Sequence, residues 1–307
     1  MIIGGKGGVG RTTVAAALGV ALSRQGQRVL LAHVRCKRKL DRLLGCPPIN
    51  QQIQQVDERL WAVNMTPEAS IREIGMMVLR FRSVYRAVME NRLVKYFIKA
   101  IPALAEYSML GKTWYHTTET LGDRPKYDTV ILDGPATGHL ISMLRIPQVI
   151  LDIVPHGPLT RDAAAAQQLL ADPRATQMWI VTLAEEMPVA EAIDLYQAAR
   201  YDLGIAVDRL IVNMVYPNLL MTPESRSAFD TLRSADELPL GLQPFVEDLD
   251  VIATRRAVNE HYLGRLAEKI PLPRVELPHL FTERIDRTKL ENLVAPLGAS
   301  LKATSNG

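Results

Sequence analysis

Along the 307 residues, short apolar runs alternate with longer stretches whose apolar positions recur at helical spacing. Residues 28–34, 178–183 and 209–213 are dominated by Val, Ile, Leu and other apolar side chains, the pattern of strands buried on both faces. A shorter run covers 60–64, another ends at Asp133, and a last one lies at 274–277. Helical period marks 14–22, 67–121, the stretch that follows Asp133 through Ala171, 189–201, 224–269 and a terminal helix from Asp286. Strands alternating with helical segments predict an α/β fold, a doubly wound, mostly parallel sheet. The chain opens Met1-Ile2-Ile3, which leaves only a stub of a first strand and fits a start farther upstream.

The whole of 1–307 reads as one domain, with a helical insertion at 67–121 and a second helix-rich segment at 224–269. No internal repeat or low-complexity tract interrupts it, and 302–307 is a polar tail. In the insertion Met77, Phe81, Val84, Tyr85 and Val88 recur at helical spacing, with Arg72, Arg80, Arg82, Arg86 and Arg92 between them. Met76, Met89, Met109, Trp114 and Tyr115 add soft and aromatic area. This pattern suits either the core of a helical subdomain or an adaptable apolar surface for a partner.

Composition removes several classes. A net charge of +3 is too small to argue for nucleic acid. No apolar run approaches the roughly 20 residues needed to span a bilayer, and no secretory pattern precedes residue 4, so a cytoplasmic location is expected. Cys36 and Cys46 make no C-x-x-C pair, which implies neither a zinc site nor a disulfide framework. Residues 35–42 hold five basic side chains and one acidic, either a solvated loop or a basic edge facing phosphates or an acidic surface.

Two motifs carry chemistry. Gly5-Lys6-Gly7-Gly8-Val9-Gly10-Arg11-Thr12-Thr13 fits the phosphate-binding pattern G-x-x-x-x-G-K-[ST], except that Arg11 stands where lysine is usual. Its glycines let bare N–H groups approach phosphate oxygens, and the helix that follows favours anions at its N-terminus. Thr12 is placed to reach Mg²⁺ and Thr13 a more distant phosphate. Arginine keeps the positive charge but replaces a compact ammonium with a planar fork.

The second motif, Asp133-Gly134-Pro135-Ala136-Thr137-Gly138-His139, follows an apolar run and brings Asp133 to the phosphate edge of the sheet, where it would hold Mg²⁺ or its water shell. Gly134, Pro135, Thr137 and Gly138 predict a tight turn able to respond to a γ-phosphate, with His139 in the same switch. Gly5, Gly7 and Gly10 also satisfy G-x-G-x-x-G, so an NADP-binding reductase is a rival reading. An acidic residue should then end the second strand, whereas His33-Val34-Arg35 stands there.

Taken together, the two motifs resemble the arsenite-pump and tail-anchored-protein-targeting ATPases, a branch of the deviant P-loop ATPases. The likeness extends through Ile211-Val212-Asn213 and 275–281 and covers most of the chain. It implies ATP and Mg²⁺ as cofactors and a P-loop NTPase fold. By the same resemblance Lys6 reaches across a dimer to the partner's phosphates, Asn213 recognises adenine, Pro278 helps to wall the base, and the insertion forms a groove for a hydrophobic-helix client. The terminal segment 290–302 holds Pro296 and lacks a strongly basic amphipathic face, so at most indirect contact with a membrane is expected.

The departures from that family are specific. Its first switch carries an Asp that positions the attacking water, and alignment through 29–32 and Leu40 puts Arg35 there. Such groups contribute about 10²–10⁴ in rate. The cysteine sets that bind zinc or metalloid in the family are missing, which disfavours arsenite transport. The expected protein is therefore a dimeric Mg-ATP switch with weak or lost hydrolysis, either a homodimer or a heterodimer with an active paralogue. The alternative is a non-enzymatic holdase or adaptor for apolar helices.

Overall fold

The computed structural model describes residues 1–34, 40–79, 102–235, 238–239 and 241–304. An eight-stranded sheet is built from β1 (Ile2–Gly4), β2 (Val29–Val34), β3 (Gln54–Asp57), β4 (Leu60–Met65), β7 (Thr129–Asp133), β8 (Met178–Leu183), β9 (Val207–Val215) and β10 (Arg274–Pro278). Their order is β10-β9-β8-β1-β7-β2-β4-β3, and every neighbouring pair is parallel except β3 with β4. The helices are α1 (Arg11–Arg24), α2 (Leu40–Leu44), α3 (Pro67–Leu79), α4 (Pro102–Thr118), α5 (Thr137–Ile153), α6 (Pro158–Ala171), α7 (Glu186–Gln197), α8 (Pro223–Arg233), α9 (Gln243–Lys269) and α10 (Arg287–Thr304). The expected doubly wound α/β class is the observed one, and no described helix is long and apolar enough to cross a membrane.

Alternation along each strand divides the core. Leu30, Ala32, Leu132, Ile180 and Val212 join one apolar cluster with Met143, Leu195 and Leu266. Val29, Leu31, Ile131, Val181 and Ile211 join the other, with α1 and α10. Thr13 to Ser23 of α1 are all buried, because the helix lies between the sheet and α10. Its run of Ala, Val, Leu and Gly19 has no polar stripe, as a helix covered on all sides requires.

Four local features differ from the sequence reading. β3, with the polar run Gln-Gln-Val-Asp, pairs antiparallel with β4 as an edge strand and lacks an apolar pattern to reveal it. The helical insertion ends at Thr118, and β5 (Thr120–Leu121) and β6 (Arg124–Pro125) form a small hairpin around Gly122. After α7 the chain closes with a π-helical turn, Ala198–Asp202. The tight turn expected through Thr137 and Gly138 is confined to 134–136, and Thr137, Gly138 and His139 open α5.

Candidate functional site

β1 sits between β7 and β8, where the winding reverses direction, and the loop after it lies beyond the carboxyl ends of the strands. Open parallel sheets bind ligands at this position. Two of the loop's glycines sit where no side chain fits. Gly5 has φ 145°, and a Cβ there would meet the Val181 carbonyl oxygen at 2.1 Å. Gly10 has φ 92°, and a Cβ would meet Asn213 Nδ2 at 2.3 Å. Both combine a left-handed backbone with a close approach that only glycine allows. Gly7 and Gly8 instead face open space, leaving the outer side of the loop free to receive a ligand.

The polar inventory fits an anion. α1 starts at Gly10 with no side-chain cap and no acidic residue in its first turn, so its leading N–H groups are unspent. α5 starts at Ala136 in the same uncapped state. The Thr137 hydroxyl is buried without a hydrogen-bond partner. A phosphate oxygen would satisfy such groups, and helix N-termini favour negative charge. Thr12 is half-buried at the start of α1, and Thr13 is buried behind it.

Arg11 joins the two motifs. Its guanidinium donates to the Gly134 carbonyl at 2.5 Å and also to the Pro135 carbonyl. Burial lowers its pKa, and the nearby Asp133 carboxylate opposes that shift. Asp133 is 1% exposed, at the end of β7, and its Oδ2 is bonded to His33 Nδ1 from the end of β2. Parallel register makes this contact: His33 is the direct partner of Asp133 on one side and of Asn64 on the other.

Lys6 forms an ion pair with Glu191 of α7 in its own chain. Val9 is buried under the loop, and its carbonyl accepts from Asn213 Nδ2 at 3.0 Å. Asn213 thus supports the loop from β9, and an aromatic group lies farther along. Tyr216 stacks on His279 at 4.6 Å, and Phe281 stands edge-on to both. Pro278, exposed at the end of β10, leads into this aromatic group. Met214 and Phe281 take left-handed φ angles of 55° and 45°, rare for side chains of their size. Gly138 and His139 are exposed in the first turn of α5.

Arg35 lies outside the described residues, as do Phe81, Val84, Tyr85, Val88 and the other positions of the insertion between 80 and 101. A cleft of about 850 Å³ between the β3–β4 edge, α3 and α4 is lined by Asn64, Glu73, Lys112, His116, Glu119 and Lys126, among others. Met109 is core and Tyr115 is exposed.

The sequence reading missed several residues of the site. His33 and Glu191 are invisible without strand order and helix placement. Asn259 of α9 accepts from the Tyr216 N–H at 2.9 Å and donates to the Ala184 carbonyl at 3.1 Å, tying the ends of β8 and β9 together. Arg256, one turn earlier, donates to the Tyr216 carbonyl.

Comparison with known proteins agrees with this geometry. Residues 1–156 match the family model described as anion-transporting ATPase. The "ATPase BagA" of Mycobacterium tuberculosis is 26% identical over 295 residues, covering 90% of this chain and 86% of that protein. The "Arsenical pump-driving ATPase" of Escherichia coli is 28% identical over 240 residues, covering 76% of this chain and 37% of that protein. The "ATPase ASNA1 homolog 1" of Paramecium tetraurelia is 25% identical over 154 residues, covering 49% and 44%.

Proposed function

Because the chain belongs to the anion-transporting ATPase family, that of the arsenite-pump and tail-anchored-protein-targeting ATPases, we propose that it is an ATP-binding switch that turns over slowly or not at all. The observation that carries this reading is the Arg11 side chain, bonded to the backbone of Gly134 and Pro135. A guanidinium spent on the switch loop couples that loop to the nucleotide; a lysine would instead have been a point charge on the phosphates. The triphosphate would lie along Gly5 to Thr13 against the uncapped starts of α1 and α5, with Thr12 as the oxygen offered to Mg²⁺. Adenine would lie toward Asn213, Pro278 and the Tyr216–His279–Phe281 group.

The remaining parts of the reading follow from that core. Residues 1–307 act as one P-loop ATPase domain, located in the cytoplasm and without nucleic acid as a partner. Lys6 acts on a partner subunit's nucleotide, either in a homodimer or beside an active paralogue. The helical insertion receives an apolar helix. With Arg11 committed to the switch loop and Arg35 in place of the water-positioning Asp, the chain's own site is the impaired one.

A single-turnover assay with labelled Mg-ATP, scoring bound nucleotide and released phosphate together, tests the core claim. Tight binding with negligible phosphate release is the expected result. Brisk release would remove the impairment, and no binding at all would remove the switch and leave a nucleotide-independent adaptor.

A further inference from the structure

The cleft between the β3–β4 edge, α3 and α4 is lined by none of the loop residues after β1, and the nucleotide reading gives its titratable side chains no task. Lys112 and His116, four residues apart on α4, share one face of the helix and are 3% and 4% exposed. Lys112 Nζ donates to Glu73 and to the Gln51 carbonyl, the latter at 3.3 Å. An ammonium has three N–H donors, so one is left without a partner among the described residues. His116 bonds Glu119 through Nδ1 at 3.0 Å, and its Nε2 is buried without a hydrogen-bond partner. Burial is the largest influence on the His116 pKa and lowers it, which favours the neutral ring. With the Nδ1 proton donated to the carboxylate, Nε2 is an acceptor.

These groups specify a ligand chemistry. Both carboxylates of the cleft are already paired, Glu73 with Lys112 and Glu119 with Lys126, so neither draws a cationic ligand and neither lysine draws a polyanion. The side-chain amides of Asn50, Gln51 and Gln52 line one wall, which suits no apolar helix. A donor and an acceptor set side by side are matched by a hydroxyl, whose oxygen accepts one hydrogen bond while its proton makes another. Amides carry donor and acceptor together and repeat the same demand along the wall. Tyr115 also lines the cleft, is 40% exposed and stands edge-on to the imidazole at 5.4 Å. Exposed side chains change rotamer within nanoseconds, so this ring can turn to let a ligand reach Nε2.

We propose that this cleft is a second binding site, for a neutral polyhydroxylated molecule of mono- or disaccharide size, with one ligand hydroxyl bridging Lys112 Nζ and His116 Nε2. A volume of about 850 Å³ accommodates a ligand of that size. The site is independent of the nucleotide reading and stands whether or not the loop after β1 holds a triphosphate.

The test is saturation-transfer NMR titration of the full chain with glucose, galactose, mannose, maltose and lactose in turn. At least one should bind with a dissociation constant below about 5 mM, and none doing so overturns the inference. Added ADP should leave that binding unchanged; displacement by ADP would put the sugar at the loop after β1 and overturn the assignment to the cleft. H116F leaves a ligand hydroxyl facing a ring without an acceptor and should weaken binding about fivefold or more, and a smaller loss overturns the inference. If H116F does not fold, the native chain with isotope-labelled histidine decides the matter. Saturation with the bound sugar should shift an imidazole nitrogen signal, and all six histidines unmoved would overturn the inference.

Discussion

Arg11, half-buried, and His116, buried, show how a cation-forming side chain inside the protein can be settled in two ways. Arg11 cannot lose its proton, so burial must be offset by acceptors, and it takes the Gly134 and Pro135 carbonyls. Hydrogen bonds to charged groups are worth about 1.5–3 kcal/mol. R11M should therefore speed amide exchange across 134–140 by roughly ten- to a hundredfold, read by hydrogen-exchange mass spectrometry. Unchanged protection would mean that Arg11 does not hold the 134–136 turn. His116 can shed its proton, and burial favours the neutral form. Burial lowers its pKa, opposed by the Glu119 bond at 3.0 Å, while Lys112 lowers it further and Glu73 raises it. The unfolded chain protonates this imidazole near its ordinary pKa of about 6.5, whereas the native state resists. The native preference for neutral His116 is fully present above that value and is lost as pH falls through the lower folded value. H116N should shrink the drop in Tm between about pH 7.5 and pH 5.5 relative to the native chain, and an equal drop in both would refute the assignment.

At the scale of elements, the site depends on contacts that hold strand ends in place. Asn259 satisfies two backbone groups that no strand ladder reaches, the Tyr216 N–H and the Ala184 carbonyl. N259A leaves both unsatisfied and should cost about 2–4 kcal/mol. Denaturant titration measures this, and a cost below that of an ordinary surface change would show the bridge to be incidental. Nucleotide affinity should fall alongside, because Tyr216 begins the aromatic group. G10A tests the loop in the same way: its Cβ would meet Asn213 at 2.3 Å in a left-handed backbone, so nucleotide binding should be lost with little change in helix content. Much of this layer was legible in the sequence. The apolar runs of β2, β7 and β8 and the all-apolar face of α1 announce elements buried on both sides, and the loop motif is written in adjacent residues. What was not legible depends on placement. β3 is an edge strand of polar residues, and its pairing with β4 creates it. His33 meets Asp133 because β2 and β7 are neighbours in register, although 100 residues separate them. Asn259 looks like any helix residue until α9 is placed against the ends of β8 and β9.

At the scale of the whole molecule, Lys6 makes the reading of a dimer testable. In the single chain it is paired with Glu191 of α7, and both side chains are about 30% exposed. A lysine meant for a partner's phosphates must leave that pair, and partly exposed ion pairs are worth only about 0–1 kcal/mol. Phosphates of a neighbouring nucleotide carry more charge than one carboxylate, so exchange is favourable once a partner subunit brings them within reach. On the proposed dimeric reading, Glu191 is a holding position that keeps Lys6 off the chain's own phosphates until association occurs. E191Q should tighten ATP-dependent association by up to about fivefold, the factor that roughly 1 kcal/mol gives, and leave the ADP form unaffected. Sedimentation velocity across a concentration series, with ATP and with ADP, measures both. Association that ignores nucleotide, or an E191Q chain that associates less than the native one, would show that the Lys6–Glu191 pair belongs to the working assembly and not to the waiting subunit.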